Sequence, residues 1–130
     1  MIADTTFLID FLNGKKEILP ILKNINSPIK TTTINEYELL VGVTKVEGID
    51  VEKRIEHIKN FLDMFEILQL DRKSISKSAR ICGDLIQKGK KIDDNDCFIA
   101  GIALRNGIDT IITKNKSHFE RIPGIKIIGH

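Results

Sequence analysis

Apolar and polar positions along the chain switch repeatedly between two spacings. Short runs rich in β-branched residues predict strands at Met1–Asp4, Ile29–Thr33, Glu66–Leu70, Asp109–Thr113 and Ile125–Ile128. Between them lie segments of helical period: Thr5–Leu12, about Lys16–Asn26 ending near Ser27-Pro28, Glu36–Val46, Ser74–Lys88 and Asp96–Asn106. Val51, Ile55, Ile58, Leu62 and Phe65 recur at alternating steps of four and three, the apolar stripe of an amphipathic helix. Gly89 and Gly107 stop two of the helices. A single helical turn is expected around Ser117–Arg121.

Strands separated by helices need crossover connections, so the pattern predicts a mostly parallel sheet covered on both faces. Open sheets of this kind bind ligands beyond the carboxyl ends of their strands, and polar residues there carry the candidate chemistry. Asp4 stands where the first strand ends, either as the N-cap of the next helix or as a site residue. Glu36 and Glu38 lie about 200° apart on a helical wheel and face opposite ways. Gly42 follows one turn beyond Glu38 on the same side. A glycine inside a helix costs about 1 kcal/mol relative to alanine, so the space it leaves is expected to serve a close neighbour or a ligand approaching Glu38.

The run Asp93-Asp94-Asn95-Asp96 suits a helix start, where negative charge meets the positive end of the dipole. Asp96 differs from its neighbours because Ala100, Ala103 and Gly107 share its side, and small residues let a helix lie close against a sheet. Asp96 is therefore expected to be partly buried, with a cation or a ring of donors offsetting the cost. Thr113 closes a strand and Asn115 opens the following turn; both offer oxygen to a cation, and both also suit a turn and cap. Together Asp4, Glu38, Asp96 and Asn115 are predicted on one rim of one sheet. Oxygen ligands without His or Cys suit Mg²⁺ or Mn²⁺ rather than Zn²⁺, and His57, His118 and His130 are too scattered for a zinc site. In phosphoryl chemistry such a cluster holds and helps deprotonate a water and neutralises the leaving oxygen.

Composition narrows the setting. A length of 130 residues gives one domain, 1–130, and a domain of this size buries about two-thirds of its unfolded surface. With 42% hydrophobic and 29% charged residues the chain is an ordinary globular one. No apolar run reaches the roughly 18 residues of a membrane span, and Asp4 and Asp10 interrupt the N-terminal apolar stretch where a secretory signal would need none. Cys82 and Cys97 match no metal or redox spacing, so a reduced, cytoplasmic compartment is expected. A net charge of +2 is too mild to imply nucleic-acid binding by itself.

The order of motifs resembles the PIN-domain ribonucleases, and among them the VapC-type toxins of toxin–antitoxin pairs. The matching stretches are Ile2-Ala3-Asp4-Thr5-Thr6-Phe7-Leu8-Ile9, Thr31-Thr32-Thr33-Ile34 leading into Glu38-Leu39-Leu40-Val41-Gly42, and Asp96-Cys97-Phe98-Ile99-Ala100. Ile111-Ile112-Thr113-Lys114-Asn115 and Phe119-Glu120-Arg121-Ile122-Pro123-Gly124-Ile125 complete them, so the resemblance runs nearly end to end. It implies a three-layer α/β/α fold around a central parallel sheet of four or five strands. It further implies Mg²⁺- or Mn²⁺-dependent endonucleolytic cleavage of RNA, a homodimer, and a small antitoxin whose C-terminal segment blocks the acidic cleft. Carried over by position, Asp4, Glu38 and Asp96 match the three principal metal-site acids, and Thr5 or Thr6 matches the hydroxyl position beside the first. Glu38 rather than Glu36 keeps the spacing to Gly42. Asn115 falls at the fourth polar position, with Thr113 in support. His118 stands where an acid is frequent, which leaves three carboxylates and the number of ions, one or two, open.

An acidic cleft that takes a phosphodiester needs basic shoulders. Lys114, Lys116 and Arg121 flank Asn115, and Lys88, Lys90 and Lys91 precede the Asp96 helix. Only 5% of residues are aromatic and tryptophan is absent, so recognition is expected to rest on RNA shape and backbone. Two other readings remain: a non-catalytic RNA-binding module on the same fold, and a phosphotransfer domain using Asp4. The second lacks the expected second Asp, having Thr6 at that place.

Overall fold

The computed structural model describes residues 1–48 and 50–130. In chain order the elements are β1 (Ile2–Ala3), α1 (Thr5–Leu12), a 3-10 turn (Lys16–Ile18), α2 (Leu19–Asn24), β2 (Lys30–Thr32) and α3 (Thr33–Thr44). There follow α4 (Val51–Leu62), β3 (Glu66–Leu68), α5 (Arg72–Gln87), α6 (Asp94–Arg105), β4 (Thr110–Ile112), α7 (Lys116–Phe119) and β5 (Lys126–Ile128). The five strands form one sheet in the order β3-β2-β1-β4-β5. Every neighbouring pair is parallel, with Ile2 aligned to Lys30 on one side and to Ile111 on the other.

Strand periodicity sorts the core into two halves. Ile2 and Ile111 join Ile81, Leu85, Ile99, Ala100 and Ala103, so α5 and α6 cover one face. Ala3 and Ile112 join Phe7, Leu8, Leu39, Ile58, Phe61 and Leu62, so α1, α3 and α4 cover the other. This is the three-layer arrangement the alternating pattern predicts. On the first face α5 and α6 approach closely at Gly101, where a methyl group would stand 2.8 Å from the backbone nitrogen of Ser78. Cys82 and Cys97 are free. Burial, with Cys82 alongside, pushes the Cys97 thiol up to about 12, which leaves it inert as a nucleophile.

Several boundaries shift by two or three residues from the sequence expectation, among them the end of α4 at Leu62 rather than Phe65 and the starts of α5 and α6, and two of the differences have a plain local cause. The segment expected as one helix from Lys16 to Asn26 divides into the 3-10 turn and α2, because Pro20 lacks an N–H and fits only the first turn of a new helix. Helix α3 begins at Thr33, three residues before the expected start. Thr32 caps it, its side chain accepting from the Asn35 N–H at 3.3 Å.

Candidate metal centre

The sheet order defines a place for a ligand. From β1 the chain builds β2 and β3 on one side and later β4 and β5 on the other. The connections therefore part at the carboxyl ends of β1 and β4, the crevice in which such sheets bind ligands. Asp4 directly follows β1 and Thr113 directly follows β4, and the Asp4 N–H continues the ladder to the Ile112 carbonyl at 3.0 Å.

Asp4 occupies the N-cap position of α1, yet its side chain makes no capping hydrogen bond. The carboxylate is 2% exposed and turned to other donors. Thr113 Oγ1 donates to its Oδ2 at 2.6 Å, and Asn35 Nδ2 donates to its Oδ1 at 3.2 Å. Asn35 also donates to Thr5 Oγ1 at 3.0 Å, and Thr5 Oγ1 in turn donates to Glu38 Oε1 at 2.6 Å. The amide oxygen of Asn35 accepts from Thr32 Oγ1 at 2.7 Å, which fixes the orientation of the whole side chain. Asn35, absent from the sequence-derived set, thus ties two acids together from a fully buried position. Its signal was available: it lies three residues before Glu38, on the same helical face.

Asp96, in the first turn of α6, is 6% exposed. His118 Nδ1 lies 2.8 Å from its Oδ2. The histidine that departs from the acidic pattern therefore reaches the site rather than leaving it. Asp93, Asp96 and His118 bring ligand atoms within 4.8 Å of one another, a group able to hold a metal ion.

All three acids resist ionisation. Burial pushes the Asp4 carboxyl above its ordinary range, against hydrogen bonds from Thr113, Asn35 and Thr6. Burial also raises Glu38, and the charges of Asp4 and Asp96 raise it further, against bonds from Thr5 and Asn95. Asp96 is raised by burial and by the charges of Asp4 and Asp93, with His118 opposing. The charge of Asp4 reaches both Glu38 and Asp96, so the three acids share one crevice, while the ligand atoms found within 4.8 Å of one another are those of Asp93, Asp96 and His118, without Asp4 or Glu38. No lysine or arginine forms an ion pair with these three acids among the described residues. Two buried carboxylates and a half-buried one, with no lysine or arginine to pair them, have the charge and the hard oxygen chemistry that a divalent cation requires.

The remaining predicted residues take varied places. Asn115 is exposed; its backbone N–H donates to Thr113 Oγ1 at 2.9 Å, while its side chain takes no part in the bonds that join Asp4, Asn35 and Thr113. Thr6 receives the Lys114 N–H at 3.0 Å and so pins the loop after β4. Lys114 Nζ lies 2.6 Å from Asp10, a 3%-exposed acid that also meets Lys15 and His130. Arg121 donates to the carbonyls of Lys90 and Lys91, joining the loop before α6 to the segment after α7. Lys116 is exposed. Gly42 has no neighbour within 4 Å of an added methyl group, so its space serves no packing partner. It opens instead onto a cavity of about 350 Å³ that it lines together with Glu38.

This chain belongs to the PIN-domain family, whose model matches residues 1–125. Within that family it is similar to the tRNA(fMet)-specific endonuclease VapC of Salmonella typhimurium, with 30% identity over 95% of this chain and 92% of that protein. It is also similar to ribonuclease VapC1 of Methanocaldococcus jannaschii, with 29% identity over 98% of this chain and 85% of the relative. Among solved structures, VapBC2 from Rickettsia felis bound to a promoter DNA fragment superposes with a TM-score of 0.85 at 26% identity, covering 99% of this chain and 97% of the other. DNA-bound VapBC from Salmonella typhimurium gives 0.84 at 29% identity, covering 98% and 96%.

Proposed function

We propose that this chain is a metal-dependent endoribonuclease that hydrolyses RNA phosphodiester bonds and serves as the toxin of a toxin–antitoxin pair. The observation that carries the reading is the crevice at the carboxyl ends of β1 and β4, where Asn35 and Thr5 link buried Asp4 to half-buried Glu38 and the buried Asp96 faces them with its charge. Likeness to VapC nucleases over nearly the whole chain supports it.

Asp4, Glu38 and Asp96 would hold Mg²⁺ or Mn²⁺, with Asn115 and the hydroxyls of Thr5 and Thr113 in support. Bound there, the ion supplies a more acidic water and a counter-charge for phosphate oxygen. The chain's own residues supply the geometry. Thr113 and Asn35 hold the Asp4 carboxylate by both oxygens, Thr5 holds Glu38, and His118 holds Asp96, so that the acids cannot turn away from the crevice. Lys116, Lys114 and Arg121 give the rim positive charge for the RNA backbone, with Lys114 shared with Asp10.

The partner proposed is an antitoxin that occupies this crevice, in line with the VapBC complexes to which the chain is structurally similar. A homodimer, a cytoplasmic setting and a single domain over residues 1–130 belong to the same proposal. No helix among the described residues is long and apolar enough to cross a membrane.

The test is cleavage of end-labelled tRNA with Mg²⁺, with Mn²⁺ and with EDTA, for the natural chain and for Asp96→Asn. Internal cleavage that needs the metal and disappears in the variant is expected. Cleavage that persists in EDTA, or in Asp96→Asn, overturns the reading.

A further inference from the structure

The cavity beside Glu38 lies in the outer layer between α1, α3 and α4, and nothing in the metal-centre reading uses it. Its apolar walls include Leu12, Leu39 and Ile58; its polar groups include Arg54 and His57, both from α4. Three features give it a character. First, Glu38 is a wall of the cavity and also an acid of the metal centre, so the two spaces adjoin through one side chain. Second, the space in front of Gly42 is empty: an added methyl there meets no atom within 4 Å, and the helix carries the cost of a glycine without any packing return. Third, Arg54 forms no ion pair among the described residues, although Glu38 lines the same cavity. An exposed guanidinium on the cavity's α4 wall, with no ion-pair partner among the described residues, fits an occupant that brings its own negative charge.

We propose that this cavity is the subsite for the nucleotide flanking the scissile phosphodiester of an RNA substrate. Arg54 takes the flanking phosphate, His57 and the apolar walls take the sugar and base, and Gly42 provides the clearance. Phosphate chemistry suits a guanidinium, which donates two parallel hydrogen bonds to phosphate oxygens. An unpaired base suits a pocket that is apolar with a few polar edges. The subsite deepens the nuclease reading and rests on it, since it is the continuation of a strand whose scissile phosphate lies at Asp4, Glu38 and Asp96.

Binding is measured by fluorescence anisotropy with fluorescein-labelled bulk tRNA in EDTA, so that no cleavage intervenes and failure of the subsite is separable from failure of the nuclease reading. Gly42→Leu, which fills the clearance, and Arg54→Gln, which removes the charge at an exposed helix position, should each weaken binding by about tenfold, the size of one charge-assisted hydrogen bond. Arg54→Lys should recover part of the loss. Thermal unfolding should show Gly42→Leu at least as stable as the natural chain, with the metal-induced shift of its melting temperature retained. RNA affinity unchanged in both Gly42→Leu and Arg54→Gln overturns the proposal, even where metal-dependent cleavage stands.

Discussion

Neutralising one acid of the centre should strengthen the metal-free fold while removing its response to metal. Asp96→Asn is the sharpest form of this test, because asparagine keeps the shape of the side chain and an oxygen that accepts from His118. Asp96 and Asp93 place carboxylate oxygens within 4.8 Å. Because Asp93 is exposed, the dielectric of water applies more nearly than that of the interior, and the repulsion removed is about 1 kcal/mol at that separation. Relief of the burial of a charge adds to it. For a chain of this length about 1 kcal/mol corresponds to roughly 4 °C in melting temperature, so the variant in EDTA should melt a few degrees above the natural chain.

Metal reverses the order. A divalent ion at tenfold its dissociation constant stabilises the folded state by about 1.4 kcal/mol, or about 5 °C by the same conversion. The natural chain should gain this on titration with Mg²⁺ or Mn²⁺, and Asp96→Asn should gain little. Scanning calorimetry in EDTA and across a metal titration reads both effects. A variant that melts below the natural chain without metal, and still gains the full shift with it, refutes the view that Asp96 is a strained ligand of the centre.

Stability of the metal-free protein against pH should have a maximum in mild acid. Asp4, Glu38 and Asp96 have raised folded values, so stability is lost as pH rises from the ordinary carboxylate range through those values and regained as pH falls. Asp10, lowered chiefly by its hydrogen bond with Lys114, contributes the opposite way: its stabilisation is present above the ordinary range and lost as pH falls through its depressed value. Melting temperatures from pH 8 to pH 3 in EDTA that fall steadily with acid contradict this. Asp10→Asn should cost about 2 kcal/mol in urea unfolding, since two half-exposed lysines lose a buried partner; a cost near zero would mean that those pairs contribute nothing. Gly101→Ala should lower stability by about 2 kcal/mol through its clash with Ser78, despite the better helix propensity of alanine. Equal stability would show that α5 moves away without cost.

The layered fold was legible because period-two strands and period-3.6 helices alternate cleanly, and helix α1 and the start of α4 fall where the pattern puts them. Proline chemistry accounts for the divided segment at Pro20, and a threonine cap for the early start of α3. Asp4 and Asp96 stand out in the sequence because each lies at a strand end or helix start in a parallel sheet, and Glu38, inside α3, because Gly42 follows it by one turn. Asp10 is not marked in this way, and Asn35 only by its spacing to Glu38, because a polar residue on a helix reads as exposed until the neighbouring element is known. Asn35 is buried where Asp4, just after β1, meets it and Thr32, the cap of its own helix, holds it. The fully enclosed His130 ring is likewise a tertiary result: its partners Asp10 and Phe7 lie more than a hundred positions earlier in the chain.

The position of β1 between β2 and β4 has a temporal side. Asp4 is made 109 positions before Thr113, whose hydroxyl gives it its shortest hydrogen bond. Until β4 slots in beside β1, the first acid has one open flank, and α6 has not yet been anchored against the sheet. A ribosome making this polypeptide would therefore hold a harmless intermediate until β4 has emerged, and the proposed centre would come into being only then.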